Sequence, residues 1–344
     1  MTTALVYAPA MRHTKQGHPE NNGRIAPILP ILDEYGLLTE VTLLKPQPAS
    51  ETQLRRVHGQ KLIDRIAQVA SFGGGLLDQG DTYATADSYE LARLAAGGTT
   101  LVVDGIMKGT FRNGFALVRP PGHHAATNEV GGFCLFNNAA VAARQAQAVH
   151  KAKRVAVVDL DVHHGNGTQE IFYEDNSVLF VSTHLYAPYF YPGIGSLGEM
   201  GARKGMGYTV NVPFPPGVGD MGYGRVMDQI IVPKIQSFKP QLLIVSIGYD
   251  AHWKDPLAMA GLSLRGYAQL VRTLITLADE VCNGRILFVL EGGYQLDVTI
   301  NGIINTIYAL LGQDLVEDPF GPMPYPEQNI TQLLRQLRQT HLLW

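Results

Sequence analysis

"RVAVVDLDVHHGNG", residues 154–167, changes character part-way: an unbroken apolar run ends, and aspartates and histidines follow at once. A run of strand length without alternation suits a strand covered on both faces, as in a parallel sheet. Similar runs stand at "ALVYA" (4–8), "GFALV" (114–118), "SVLFVS" (177–182), "YTVNV" (208–212), "LLIVSI" (242–247) and "RILFVL" (285–290). Segments of helical period lie between them, at 86–107, 137–149, 222–237, 263–280 and 296–311. Strand and helix in alternation argue for a three-layer α/β fold around one open, mainly parallel sheet. No repeat, low-complexity tract or linker divides the chain, so 1–344 is expected to be a single domain.

Open α/β sheets bind ligands beyond the carboxyl ends of their strands. Four of these runs end in polar or glycine-rich stretches: "GFALV" in RPPGHH, "RVAVVDL" in DVHHGNG, "LLIVSI" in GYDAHWKD and "RILFVL" in EGGY. Asp159, Asp161 and His163 alternate along an extended segment, which points their side chains to one face. Asp161 and His163 can reach one cation, and Asp250 offers a third ligand. Two carboxylates and an imidazole leave positions open for water and substrate, the mark of a catalytic zinc site. Mixed oxygen and nitrogen donors also accommodate Fe(II), Co(II) or Mn(II).

The chain as a whole narrows the classes. A formal charge of −3 with no Lys/Arg run gives no footprint for nucleic acid. Two cysteines, Cys134 and Cys282, make no disulfide framework and fit a reducing compartment. No signal peptide is read at the start, and no apolar run of about 18 residues suggests a membrane span. A cytoplasmic enzyme or binding protein is expected, its oligomeric state open and homo-oligomers included.

"RPPGHHA" (119–125), "GGFCLFNN" (131–138), "DLDVHHGNGTQ" (159–169), "STH" (182–184), "GYDAHWKDPL" (248–257) and "LEGGY" (290–294) together resemble the zinc-dependent histone deacetylase superfamily. The resemblance runs from about His18 to the helix after Tyr294 and is strongest to class II-type members and bacterial histone deacetylase-like amidohydrolases. It implies the arginase/deacetylase fold and hydrolysis of an acetyl amide. Arginases share that fold with two manganese ions, on D-x-H-x-D and S-x-D-x-D patterns. Gly165 stands where the first needs its last Asp, and Gly248 where the second needs its first. One metal per chain is expected.

Acyl-amide hydrolysis needs an activated water, a stabilised oxyanion and a proton for the departing amine. A divalent cation lowers the pKa of its water to roughly 7, and a histidine suits the proton transfers. By resemblance His123 and His124 fill that role, with Asp159 serving His123 and residue 166 serving His124. Class I members have Asp there; this chain has Asn166. A neutral partner stabilises an imidazolium less than a carboxylate does. His124 is therefore expected to be the general base and acid, and His123 to stay charged. Tyr294 is the oxyanion donor candidate, with Gly292 and Gly293 freeing its loop. Where some class II enzymes carry His, Tyr294 implies competence on acetyl groups.

The resemblance also places Gly132, Phe133 and Tyr191 along a narrow alkyl tube, Asp81 at its rim on the substrate backbone, and Arg24 near an inner cavity for acetate. His184 reads as structural. Backbone carbonyls around Asp159, Asp161 and His163, with Ser182, would hold potassium as relatives do. Polyamine-selective relatives place an acidic gatekeeper where this chain has Leu257. That favours acetyl-lysine in a protein or peptide, with an acetylated polyamine or other small amine as the alternative. An arginase-like ureohydrolase and a non-catalytic acyl-amide binding module are the remaining readings. The first lacks its bridging carboxylates, and the second would need a broken proton relay.

Overall fold

The apolar runs become the middle of one parallel sheet. A computed structural model describes residues 2–342. Its strands are β1 (Thr2–Ala8), β2 (Val41–Leu44), β3 (Gly74–Leu76), β4 (Tyr83–Thr85), β5 (Phe111–Val118), β6 (Val155–Asp159), β7 (Val178–Leu185), β8 (Thr209–Phe214), β9 (Leu242–Ile247) and β10 (Ile286–Leu290). Eight of them pair in the order β2-β1-β5-β10-β9-β6-β7-β8, every pair parallel, while β3 and β4 form a separate antiparallel hairpin. β6, β9 and β10 are buried along their whole length, because helices cover both faces. One apolar layer holds Val158, Val245 and Phe288 with Tyr267 and Ile303; the other holds Val157, Ile244 and Val289 with Ala139 and Val103. This is the three-layer, single-domain α/β arrangement of the arginase/deacetylase fold.

All seven runs read as strands are strands. The segment read as one helix over 222–237 is instead three pieces: α over Asp220–Val226, π over Met227–Ile231 and α over Val232–Phe238. Pro233 has no N–H to return to the carbonyl one turn earlier, and the local widening to i→i−5 bonding, seen from Val232 to Met227, absorbs the fault. β2 went unread because it is an edge strand and only partly covered. Among the described residues, no helix is long and apolar enough to cross a membrane.

The order of strands positions the site. The four whose ends carry the polar stretches, β5, β10, β9 and β6, are consecutive neighbours in the sheet although their sequence order is scrambled. Their carboxyl ends therefore meet at one place, at the switch in strand order where open sheets bind ligands.

Candidate active site

β6 ends at Asp159, and the two residues read as ligands lie just past it. Asp161, His163 and Asp250 each present one donor atom, all within 4.8 Å of one another. Backbone amides hold the carboxylates in place. His163 N donates to Asp161 Oδ1 at 2.9 Å, Gly292 N to Asp161 Oδ2 at 2.8 Å, and Val162 N to Asp250 Oδ1 at 3.0 Å. Asp250 Oδ2 is left buried with no hydrogen-bond partner among the described residues, 3.3 Å from His163 Nδ1. Burial opposes charge on His163, yet the adjacent carboxylates of Asp161 and Asp250 override it and lift its pKa to about 10. Burial and the Asp161 charge likewise raise Asp250. Two buried carboxylates facing each other call for a cation between them, and the unpartnered oxygen points where one would sit. The residues present fit a divalent metal.

The arginase-type second site lacks its carboxylates, with Gly165 and Gly248 in their places. At Gly165 a Cβ would run into Asp159 Oδ2, and at Gly248 into Asp161 Oδ2. A side chain at either position would require the Asp159 or Asp161 carboxylate to move. Nor does the structure add support for potassium: the Asp159 carbonyl accepts from Thr183 Oγ1 at 3.2 Å, and Ser182 Oγ lies 2.9 Å from His184 Nδ1. His184 is buried and tied at its other nitrogen to Gly195 O, 2.9 Å away, as a structural residue would be.

The tandem histidines follow a cis Arg119–Pro120 bond and face the metal trio. His123 Nδ1 donates to Asp159 Oδ2 at 3.0 Å, and His124 Nδ1 to Asn166 Oδ1 at 2.6 Å. Burial alone would lower His123, but Asp159 and Asp161 reverse that and push it up to about 10. His124 goes the other way: burial, then the charges of His123 and His163, hold it well below the ordinary imidazole value. The two rings, with centroids 3.9 Å apart, are thus shifted in opposite directions. Since Asn166 occupies Nδ1, the nitrogen of His124 left to exchange a proton is Nε2.

A tube of about 160 Å³ opens from the surface onto these groups, lined by Asp81, His124, Gly132, Phe133, His163, Tyr191, Leu257 and Tyr294. Gly132 has φ +50°, and a Cβ on it would strike the His124 ring, so only glycine lets the wall pass this close. Tyr191 meets His124 edge-on at 4.9 Å, and Phe133 faces Tyr294 at 6.0 Å. Burial raises the Tyr294 phenol well above its usual value, so it stays protonated and able to donate. Arg24 lies behind this wall instead of in it: its guanidinium sits 4.9 Å over the Tyr294 ring and donates to Gly293 O, Glu291 O and Glu20.

The sequence reading passed over several supports. Glu291, in the quoted EGGY, is fully buried, accepts from Gly122 N at 2.7 Å and His123 N at 3.1 Å, and takes the Ser246 hydroxyl at 3.0 Å. Asp255 accepts from Tyr294 N at 2.8 Å and Leu257 N at 2.9 Å, tying the oxyanion candidate to the rim. Phe190 stacks on His163 at 5.0 Å, planes 7° apart. Arg119, fully buried, pairs with Glu20, which also receives Arg24. The adjacent acids and aromatics were visible in the motifs; their partners were not.

A family model described as "Histone deacetylase domain" matches residues 18–310. The chain is 38% identical to "Probable deacetylase" of Archaeoglobus fulgidus, over 100% of this chain and 94% of that one. It is 36% identical to "Histone deacetylase 14, chloroplastic" of Arabidopsis thaliana, over 98% and 85%. With "Histone deacetylase-like amidohydrolase" of Pseudomonas aeruginosa it shares 39%, over 81% and 73%. The solved structure titled "Crystal Structure of HDA15 HD domain" superposes with a TM-score of 0.91 at 36% identity, covering 99% of this chain and 96% of that chain. Fold, motif order and relatives agree: the chain belongs to the zinc-dependent histone deacetylase superfamily and is a hydrolase acting on amide bonds.

Proposed function

We propose that residues 1–344 act as one catalytic domain that removes the acetyl group from N-ε-acetyl-lysine or a closely similar acetylated amine, with one zinc ion held by Asp161, His163 and Asp250. A bound zinc would supply a Lewis acid for the amide carbonyl and a water of lowered pKa. The remaining work falls to the protein. Phe133 and Tyr191 grip an alkyl stem from two sides, and Asp81 and Leu257 meet what lies outside the tube. His124 Nε2 takes the proton of the attacking water and later returns it to the departing amine. His123, kept charged by Asp159, stabilises negative charge as it builds. Tyr294 donates its phenolic hydrogen to the former carbonyl oxygen.

The observation that carries this reading is the tube itself. It holds only about 160 Å³, and its lining brings His124, His163 of the candidate metal trio and the Tyr294 phenol together. A second reading, an acetylated polyamine, draws on Asp78 and Asp81, which lie near enough to Tyr191 to add, after burial, to the rise in its pKa; such an acidic mouth would attract a cationic tail. The test is a turnover panel on the zinc-loaded chain: acetyl-lysine peptides, acetylputrescine and acetylspermidine, each with and without chelator. Chelator-sensitive turnover favouring peptides is expected. Preference for the polyamines moves the substrate to the second reading, and no turnover on any of them refutes acetyl specificity.

A further inference from the structure

The far end of the sheet carries a second concavity. Where β6, β7 and β8 begin, opposite the tube, a cleft of about 370 Å³ is lined by Arg154, Leu179, Tyr208, Lys234, Ser237 and Phe238 along with the backbone of Gly207. That volume lies within the usual range for small-molecule sites, about 300–1,000 Å³. Arg154 and Tyr208 immediately precede β6 and β8, and Lys234, Ser237 and Phe238 come from the last helical piece after the π turn. No carboxylate lines the cleft.

Its donors are free. Lys234 is half-buried and makes no hydrogen bond or ion pair among the described residues. Burial lowers its pKa, and no acid lies near enough to offset that. His341, which feels the Lys234 ammonium, is pushed down to about 4 by burial and by that charge. Arg154 Nε donates to Lys239 O at 3.0 Å. That bond fixes the guanidinium at the mouth and leaves its two terminal nitrogens without a partner among the described residues. The hydroxyls of Tyr208 and Ser237 likewise have none. Beside these donors, Tyr208 and Phe238 meet edge-to-face at 5.8 Å, and Leu179 completes an apolar wall.

The Lys234 ammonium stands on a half-buried, partly solvent-open face. Here it shares a concave surface with a guanidinium fork, which matches phosphate oxygens in pairs. We propose that this cleft binds a small phosphate ester with a planar ring, of the nucleotide class. Arg154 and Lys234 hold the phosphate, Tyr208 and Ser237 complete its hydrogen bonds, and the ring lies against Phe238 and Leu179. The site is separate from the tube, and its occupancy does not depend on the proposed deacetylation.

The test is calorimetric titration of the full chain with AMP and with inorganic phosphate at low salt, where charge-based binding is least screened. Saturable AMP binding with Kd at or below about 1 mM is expected, with phosphate alone weaker. Arg154→Gln and Lys234→Met should each weaken AMP by about tenfold or more. Phe238→Leu should weaken AMP and leave phosphate unchanged. Arg154 is exposed, so its variant keeps the test decisive even if the Lys234 variant folds poorly. Failure of AMP to bind, or AMP affinity unchanged in Arg154→Gln, overturns the proposal. Phosphate binding as tightly as AMP overturns the part assigned to the ring.

Discussion

Replacing Asn166 with aspartate tests the division of labour between the two histidines. In the wild type, His124 Nδ1 donates to a neutral amide oxygen at 2.6 Å, and burial, with the charge of His123 next, holds its pKa well below the usual value. His123, 3.0 Å from the Asp159 carboxylate, is at about 10. Asn166→Asp gives His124 the kind of partner that His123 has. An adjacent opposite charge shifts a pKa by about 1–3 units, or about 1.4–4 kcal/mol between the two protonation states. The sign is fixed: a carboxylate favours the imidazolium, so the pKa rises. A general base works only when neutral, so activity is lost below its pKa and the acid limb of kcat/KM should move to higher pH by that amount. With both proteins loaded to the same metal content, the difference between the profiles isolates residue 166. Asn166→Ala, which adds no charge, should leave the limb where it is or lower it. If the Asn166→Asp and wild-type profiles superpose, His124 is not the group whose neutral form limits the rate.

Tyr294→Phe removes the phenolic donor while keeping the ring against Phe133; kcat should fall roughly 150-fold, the equivalent of ~3 kcal/mol, with KM little changed. A drop of only a few fold would assign the oxyanion to another donor. Asp250→Asn removes a carboxylate from the trio, so zinc retained after dialysis, read by elemental analysis, should fall below half an ion per chain, while wild type holds about one; equal retention would place the metal elsewhere. Glu291→Ala strands the Gly122 and His123 amides at ~1–3 kcal/mol each, lowering the thermal midpoint and slowing turnover, and Glu291→Gln, which keeps one acceptor oxygen, should recover part of both. No change in midpoint would mean that water replaces the carboxylate there.

What could be read in the sequence was what burial writes locally. β6, β9 and β10 are covered on both faces, so they stand out as apolar runs, and the residues just past them stand out by contrast. Asp161 and His163 are two residues apart, which made them legible as neighbours at one strand end, and Asp250, brought beside them, followed from the same strand-end rule. Glu291 shows the limit. Its partners are two backbone amides and one hydroxyl, none of which leaves a mark in side-chain spacing, so a fully buried acid passed as part of a glycine loop. The Glu20–Arg119 pair spans 99 positions, and no local pattern announces a contact at that range. Pro233 was in plain view within a helical period; what could not be foreseen was that the chain would widen one turn and continue instead of stopping.

The scrambled strand order also bears on how the chain tolerates changes in length. Because β5, β10, β9 and β6 lie side by side, the reacting groups are registered to one another through the sheet, while every long connection between them runs outside it. Changes of length in the parts of those crossovers far from the strand ends should disturb the placing of His124 relative to Asp161 and Tyr294 least. Alignments to relatives extend over 361 positions against a chain of 344, so gaps have been absorbed somewhere along the chain. Domain fusions, tags or partner-binding insertions are best grafted at those crossovers, and the loops at the four strand ends are where a single added residue would be felt most.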